Sequence, residues 1–174
     1  MEHPRTVLTA LAAATLTAAI CASPAAATST FSGDVCALVT PAATRAAAVD
    51  APCVQSKAQP VKATPSTTYV ATWGTATAGS EHYMSVHIGP IRSITLLRLS
   101  RLFPRGPGKL LGPILVAPGI KAYYLQSAYE GVAGGRGTMK LVDKGHLVQI
   151  TILNASGNVL PGLEAVAKAL ASKM

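Results

Sequence analysis

The chain has 174 residues, and its 15 Lys and Arg outnumber its 7 Asp and Glu to give a formal net charge of +8. This length is enough for one domain with a modest core and too short for several. The acidic residues lie in separate segments, so the sequence lacks the local carboxylate pair that general acid–base catalysis would use.

The N-terminal residues have the composition of a secretory signal peptide. A short charged start precedes an uncharged apolar run at residues 7–22. Ser23-Pro24 breaks this run, and the alanines at 25–27 are the small residues that signal peptidase requires. The sequence therefore predicts a signal peptide at residues 1–27, cleavage near Ala27-Thr28, and a secreted or cell-envelope-associated protein.

Two alternatives concern the same segment. The first is an uncleaved membrane anchor, although the run is mostly Ala and Thr, which insert weakly into the roughly 30 Å hydrocarbon core of a bilayer. The second is a lipoprotein modified at Cys21. The residue before Cys21 is the bulky Ile20, where a lipidation signal needs a small residue. Both alternatives are therefore less favoured than cleavage.

Only Cys36 and Cys53 remain after the predicted cleavage. In an exported protein, two remaining cysteines predict a disulfide. Closing a ring of about 18 residues would stabilise the fold by about 3 kcal/mol in the chain-entropy model. A redox or metal site is the alternative, but the segment has neither a CxxC motif nor a nearby histidine.

The first half of the domain predicts one helix and two strands. Thr40 and Pro41 suit the N-cap and the first position of a helix that Pro52 ends. Residues 54–66 carry prolines and lysines and are expected to form an exposed connection. Strands are predicted at residues 67–73 and 83–88, because β-branched, aromatic or alternating apolar residues predominate there.

The second half predicts two further helices and three strands. A helix is expected at residues 90–103, then a turn-rich loop at 105–113 and a strand at 119–127. Strands at 138–142 and 146–153 flank Asp143-Lys144-Gly145, a hairpin signal, and the last helix covers residues 160–174. This order predicts a single α+β domain at residues 28–174, an antiparallel sheet of about five strands with helices packed on one face.

Residues 34–41, Asp-Val-Cys-Ala-Leu-Val-Thr-Pro, resemble the start of a broad actinobacterial family of small secreted proteins and lipoproteins of unknown function. That family typically begins with Asp-x-Cys-x-Leu-Leu-Thr-Pro. It continues with a Cys-x-Trp strand, an Ala-Tyr strand, a Gly-tipped hairpin and a Leu/Ala-rich final helix. The chain departs from this pattern at Ala43, where a capping Glu is usual, and at Ala71, two residues before Trp73. The resemblance implies a fold but no catalytic residues.

Motifs for nucleophilic or metal catalysis are missing from the sequence. There is no GxSxG and no HExxH. His82 and His87 are five residues apart, so on one strand they point to opposite faces and do not share a metal. His146 opens a hairpin strand and is expected at a solvated edge. The sequence predicts a protein that is not an enzyme and has no metal and no cofactor.

The charge distribution is the most informative feature for function. No acidic residue lies between Glu81 and Glu130, whereas six cations do. Five of these form a predicted anion-binding patch: Arg92, Arg98, Arg101, Arg105 and Lys109. Such a segment attracts polyanions, which in an exported protein are anionic envelope lipids or polymers, and no nucleic-acid partner is expected.

The predicted helix at residues 90–103 gives this patch two interpretations. Arg92, Arg98 and Arg101 fall on nearly one side of it and leucines on the rest, as in an interfacial helix in peripheral contact with a membrane. The alternative is a buried leucine face with a solvated arginine edge. The sequence favours this alternative.

These observations lead to a hypothesis and two alternatives from other classes. The hypothesis is a non-enzymatic secreted or envelope-associated binding domain for an anionic or apolar cell-surface ligand. One alternative is a small secreted hydrolase whose site is assembled from distant residues. The other is a partner-binding regulator or inhibitor that uses the predicted helix and the Gly106-Pro107-Gly108-Lys109 loop as its contact surface.

Overall fold

A computed structural model of the chain describes residues 33–58, 68–75, 82–91, 99–103, 108–128, 135–154 and 157–174. The predicted signal peptide lies outside these ranges. The helices are α1 (Val35–Leu38), α2 (Pro41–Ala46) and α3 (Leu160–Lys173). The strands are β1 (Cys53–Ala58), β2 (Thr68–Trp73), β3 (His82–Pro90), β4 (Lys109–Ala117), β5 (Ile120–Ala128), β6 (Gly135–Asp143) and β7 (His146–Asn154).

The strands form one antiparallel sheet in the order β1-β2-β3-β7-β6-β5-β4. Two meanders, β1 to β3 and β4 to β7, join where β7 pairs with β3. Because β3 lies in the interior and β4 at the far edge, the chain between them must cross β7, β6 and β5. The α+β class and the antiparallel sheet are therefore as predicted, but the sheet has seven strands and not five.

The two strands that the sequence missed are the two edges. Residues 54–66 were expected to form a connection, yet Cys53–Ala58 pairs with β2. Residues 105–113 were expected to form a loop, yet Lys109 begins β4. Gly112 and Pro113 fall at a shift in the β4–β5 register, and an edge strand tolerates this because its outer side needs no hydrogen-bond donors.

The prediction of a helix at residues 90–103 is wrong at its first residue, which belongs to a strand. Pro90 is the last residue of β3, in register with His146 on β7, and the Ile91 N–H donates to the carbonyl of Gly145. Residues 92–98 lie outside the described part of the chain. Residues 99–100 are helical, as predicted, and a turn follows at residues 101–103, in which the Leu102 N–H donates to the carbonyl of Leu99.

The helices α1, α2 and α3 lie on one face of the sheet, as predicted, but the helical residues 99–100 belong to a segment that contacts Lys140 on the other face. Four apolar residues of α3 recur with the helical period and face the core: Leu163, Val166, Ala167 and Leu170. They share a single apolar core with sheet residues such as Met84, Met139 and Ile150. Gly137 lets α3 approach closely, since a Cβ there would overlap Val159 and lie 2.7 Å from the Tyr124 ring.

The segment before β1 is fastened to the sheet by covalent and polar contacts. Cys36 and Cys53 form the predicted disulfide, with 5.9 Å between their Cα atoms. The Gln55 side chain accepts from the Val35 N–H and donates to the Gly33 carbonyl. Thr40 caps α2 as predicted, its hydroxyl oxygen accepting from the Ala43 N–H at 3.2 Å. The disulfide and Gln55 contacts fix α1 over β1 and β2, and α2 packs against α3.

Candidate ligand-binding surface

The face of the sheet turned away from the three helices, here called the open face, is built from two polar rows. Strand register places these rows across the sheet, because paired residues point to the same side. The first row is Val54, Thr72, Ser85, Thr151, Thr138, Leu125 and Leu110. The second is Val70, His87, Gln149, Lys140 and Tyr123. The centre of the open face therefore carries hydroxyl, amide, imidazole and ammonium groups, but Ser85, Thr151 and Lys140 in it are buried, so the exposed part of this face lies towards its edges.

One described part of the crossing between β3 and β4 rests on this face. The Lys140 ammonium donates to the Leu102 carbonyl at 2.7 Å and lies 5.0 Å from the centre of the Phe103 ring. Leu99 and Phe103 are buried, whereas Arg101 and Leu102 are exposed. The turn is thus docked on the sheet by its apolar residues, and it presents a cation and a leucine to solvent.

Lys140 is an unusually buried cation. The residue is only 9% exposed, and burial lowers the pKa of its ammonium below the ordinary value of 10.5. The Leu102 carbonyl and the Phe103 ring offset part of the desolvation cost, because both present negative charge density to the ammonium. Among the described residues, no carboxylate forms an ion pair with Lys140.

The acidic side chains of the described ranges all lie on the helix side. Asp34 caps α1, Glu164 belongs to α3, and Asp50 follows α2. Asp143 alternates with Leu141 along β6 and so shares the helix-covered face. Cations occur on both sides. The open face and its docked turn carry Lys121, Arg136, Lys140 and Arg101.

An exposed pair of leucines on β4, here called the leucine edge, adjoins these cations. Leu110 is 42% and Leu115 is 63% exposed. Leu115 is in register with Lys121, and Leu110 is in register with Leu125, so both leucines share the open face. On the opposite edge of the same face, Val54 is 64% exposed and is in register with Thr72.

The predicted anion-binding patch is divided by the structure. Arg101 is exposed on the turn docked to the open face. Lys109 is also exposed, but it is in register with Gln126 and so lies on the opposite side of β4 from Leu110. Arg92, Arg98 and Arg105 lie outside the described residues.

Sequence reasoning missed the residues that strand pairing gathers on the open face. The patch predicted from the sequence does not include Lys121, Arg136 or Lys140. The alternation of Thr138, Lys140 and Val142 with apolar residues could have placed Lys140 on the solvent side of its strand.

The two histidines of β3 point to opposite faces, as predicted. His82 lies on the helix side, with its Nδ1 atom 2.8 Å from the Ala48 carbonyl oxygen. His87 lies on the open face, where burial lowers its pKa below the ordinary value of 6.5. Within the described ranges, no three His, Cys, Asp or Glu side chains gather closely enough to hold a metal ion.

A shallow cavity of about 450 Å³ lies on the helix side, at the end of α2. It is lined by Pro41, Thr44, Arg45, Ala48, Val49 and Asp50. Arg45 and Asp50 carry opposite charges, so this cavity lacks the single sign of charge that marks the open face.

None of the helices in the described ranges has the length and apolar character needed to cross a bilayer. Comparisons of the chain with known protein families, with curated proteins and with solved structures find no match. The open face is therefore interpreted from its own geometry and charge.

Proposed function

We propose that this chain is a non-enzymatic binding domain, exported to the cell envelope or beyond it, whose open face binds an anionic ligand. The observation that carries the proposal is the separation of charge across the sheet. Every acidic side chain in the described ranges is on the helix side, whereas Lys121, Arg136 and Lys140 share the open face.

Two cations of the open face are close enough to act together. Lys140 is in register with Tyr123, so Lys121 is on the neighbouring strand, two residues along, and the two Cα atoms are about 8 Å apart. This distance is shorter than the Debye length of about 10 Å at 0.1 M salt, so the fields of Lys121 and Lys140 add. Arg136 is four residues from Lys140 on β6, about 13 Å away, and extends the positive charge along the same face.

Two features support export of the domain. The Cys36–Cys53 disulfide is of the kind that persists in oxidising compartments outside the cytosol. Residues 1–27 have the composition that favours a cleavable signal peptide. The resemblance of residues 34–41 to an actinobacterial secreted family agrees with the same location.

The open face gives the hydrolase alternative no histidine beside a carboxylate, although on the helix side Asp143 is in register with His146. A histidine that acts as a base usually needs an orienting carboxylate. Among the described residues, His87 has Val70 and Gln149 as its register neighbours, and its face carries no acid. The open face is therefore suited to binding an anion and not to activating a nucleophile.

Binding of a soluble polyanion by charge variants tests this function. Dextran sulfate is the probe, and the disulfide-bonded protein is the titrant. Replacing Arg101 and Lys121 together by Gln should weaken binding about thirtyfold, because each cation near an anionic surface contributes about 1 kcal/mol. The matched control replaces one Arg and one Lys on the helix side, Arg45 and Lys168, and should change affinity less than about threefold.

Equal losses in both variants would contradict the proposal, as would wild-type protein that binds no polyanion at low salt. Binding should also weaken steeply as salt rises from about 0.1 M to 1 M, where the Debye length falls to about 3 Å.

A further inference from the structure

The leucine edge combines exposed apolar side chains with an edge protected against strand pairing. Leu110 and Leu115 are in register with positions 125 and 121 of β5, which places them about 13 Å apart along the strand. Between them, Pro113 has no N–H to donate and coincides with the register shift. Proline and bulges of this kind blunt an edge against pairing with another strand. The leucine side chains are therefore free to contact a ligand from the open face.

The leucine edge has a cation on its own face. Leu115 is paired with Lys121, whereas Lys109, which directly precedes Leu110, points to the helix side. A soluble polyanion would attract the cations of the open face but would not bury the leucines. An anionic bilayer can do both, since phosphates lie at its surface and acyl chains lie a few ångströms below.

We infer that the ligand of the open face is an anionic lipid bilayer, and that Leu110 and Leu115 enter it while Lys121 and Arg101 contact its phosphates. This inference rests on the proposed function and names its partner. It assigns the membrane contact to an edge strand, and not to the interfacial helix that the sequence suggested for residues 90–103.

Val54 provides an internal control for the role of the leucines. It is as exposed as Leu115 and lies on the same face, but on the opposite edge of the sheet and opposite Thr72. Exposed apolar surface alone would let Val54 enter a bilayer equally well. If the cations direct which edge enters the bilayer, only the leucine edge, which lies beside Lys121, should insert.

An environment-sensitive fluorophore at either edge distinguishes these outcomes. Leu115→Cys and Val54→Cys are each labelled with nitrobenzoxadiazole under non-reducing conditions, which leave the disulfide intact. The probe is vesicles of phosphatidylglycerol and phosphatidylcholine in equal parts. Emission at position 115 should shift to the blue and rise severalfold, whereas emission at position 54 should change little. Vesicles of phosphatidylcholine alone should leave both labels unchanged.

A second measurement separates this inference from the proposed function. Replacing Leu110 and Leu115 together by Ser should weaken vesicle binding tenfold or more and leave dextran sulfate binding unchanged. Val54→Ser should alter neither, and the exposed positions keep the melting temperatures of all three proteins alike. Binding of dextran sulfate without vesicle binding, or vesicle binding unaffected by the leucine change, overturns the bilayer inference and leaves the anion-binding function standing. Failure to bind either probe overturns both.

Discussion

The Lys140 ammonium donates to the carbonyl of Leu102 at 2.7 Å and thereby fastens the segment at residues 99–103 to the middle of β6. This contact joins positions 38 residues apart in the chain. It holds Arg101 and Leu102 outward while Leu99 and Phe103 pack inward. A buried lysine thus determines where an exposed arginine stands on the open face.

Replacing Lys140 by Met should loosen this segment without unfolding the domain. The variant loses a hydrogen bond to a charged group, worth about 1.5 kcal/mol, but it also removes a desolvated charge from the interior. Trypsin cleavage after Arg101, followed by mass spectrometry, should therefore accelerate about tenfold while the melting temperature changes little. Lys121→Met serves as the control, and equal cleavage after Arg101 in the two variants would refute the fastening role of Lys140.

His87 should make the fold less stable in mild acid. Burial lowers the pKa of His87 in the folded state, so below pH 6.5 the unfolded chain binds more protons than the folded one. Stability is therefore complete above about pH 6.5 and falls as the pH drops towards the folded-state pKa, with a slope of at most about 1.4 kcal/mol per pH unit. Urea unfolding between pH 5 and 7.5 should show this slope, and His87→Gln should flatten it. Parallel pH profiles for the two proteins would contradict this assignment.

The Cys36–Cys53 bond should contribute substantially to stability. Its ends are 17 residues apart in sequence, and it ties the first helix to an edge strand. Replacing both cysteines by Ser should lower the free energy of unfolding by about 3 kcal/mol, mainly because the unfolded chain gains freedom. Guanidinium unfolding measures this loss, and treatment of wild type with a reductant should reproduce it. An unchanged midpoint in both experiments would exclude the stabilising role.

Ala48 occupies a backbone conformation that glycine adopts more easily. Its φ is 54°, and it follows α2 at the position where many helices end with glycine. Ala48→Gly should stabilise the protein by about 0.5–1 kcal/mol, because it relieves the clash of Cβ with the backbone. The control Ala46→Gly, inside α2, should destabilise by a similar amount. If Ala48→Gly lowers the unfolding midpoint as Ala46→Gly does, the backbone at Ala48 is not strained by its positive φ.

The elements that face the core could be predicted from the sequence, because burial of one face makes apolar residues recur at regular spacing. Met84, Val86 and Ile88 alternate along β3, and all three are buried. The apolar face of α3 follows the helical period in the same way. The hairpin between β6 and β7 was marked by Lys144 and Gly145, which both adopt positive φ.

The two edge strands could not be predicted, because an edge strand is less buried and does not need a regular alternation of apolar and polar residues. On β1, Val54, Gln55 and Ser56 are all exposed, so no alternation is visible. On β4, Gly112 and Pro113 look like a turn, although they mark a register shift within a strand. Both segments become strands because the neighbouring β2 and β5 offer them hydrogen-bond partners.

The grouping of cations at the candidate site could not be predicted from the sequence either. The excess of cations is visible in the sequence, but the side of the sheet on which each cation falls depends on the strand register. Lys109 and Lys121 are near in sequence, yet Lys109 lies on the helix side of β4. Lys121 and Lys140 come together on the open face only through the pairing of β5 with β6.

Hydrogen exchange of the two edge strands, with and without anionic vesicles, tests the central claim most directly. Both β1 and β4 have one unpaired side, so either could gain protection from a bound surface. Binding through the open face at the leucine edge predicts slower exchange in residues 109–117 and in the segment at 99–103, and little change in residues 53–58. Protection of residues 53–58 alone, or of neither edge under conditions where the vesicles bind, would contradict the account.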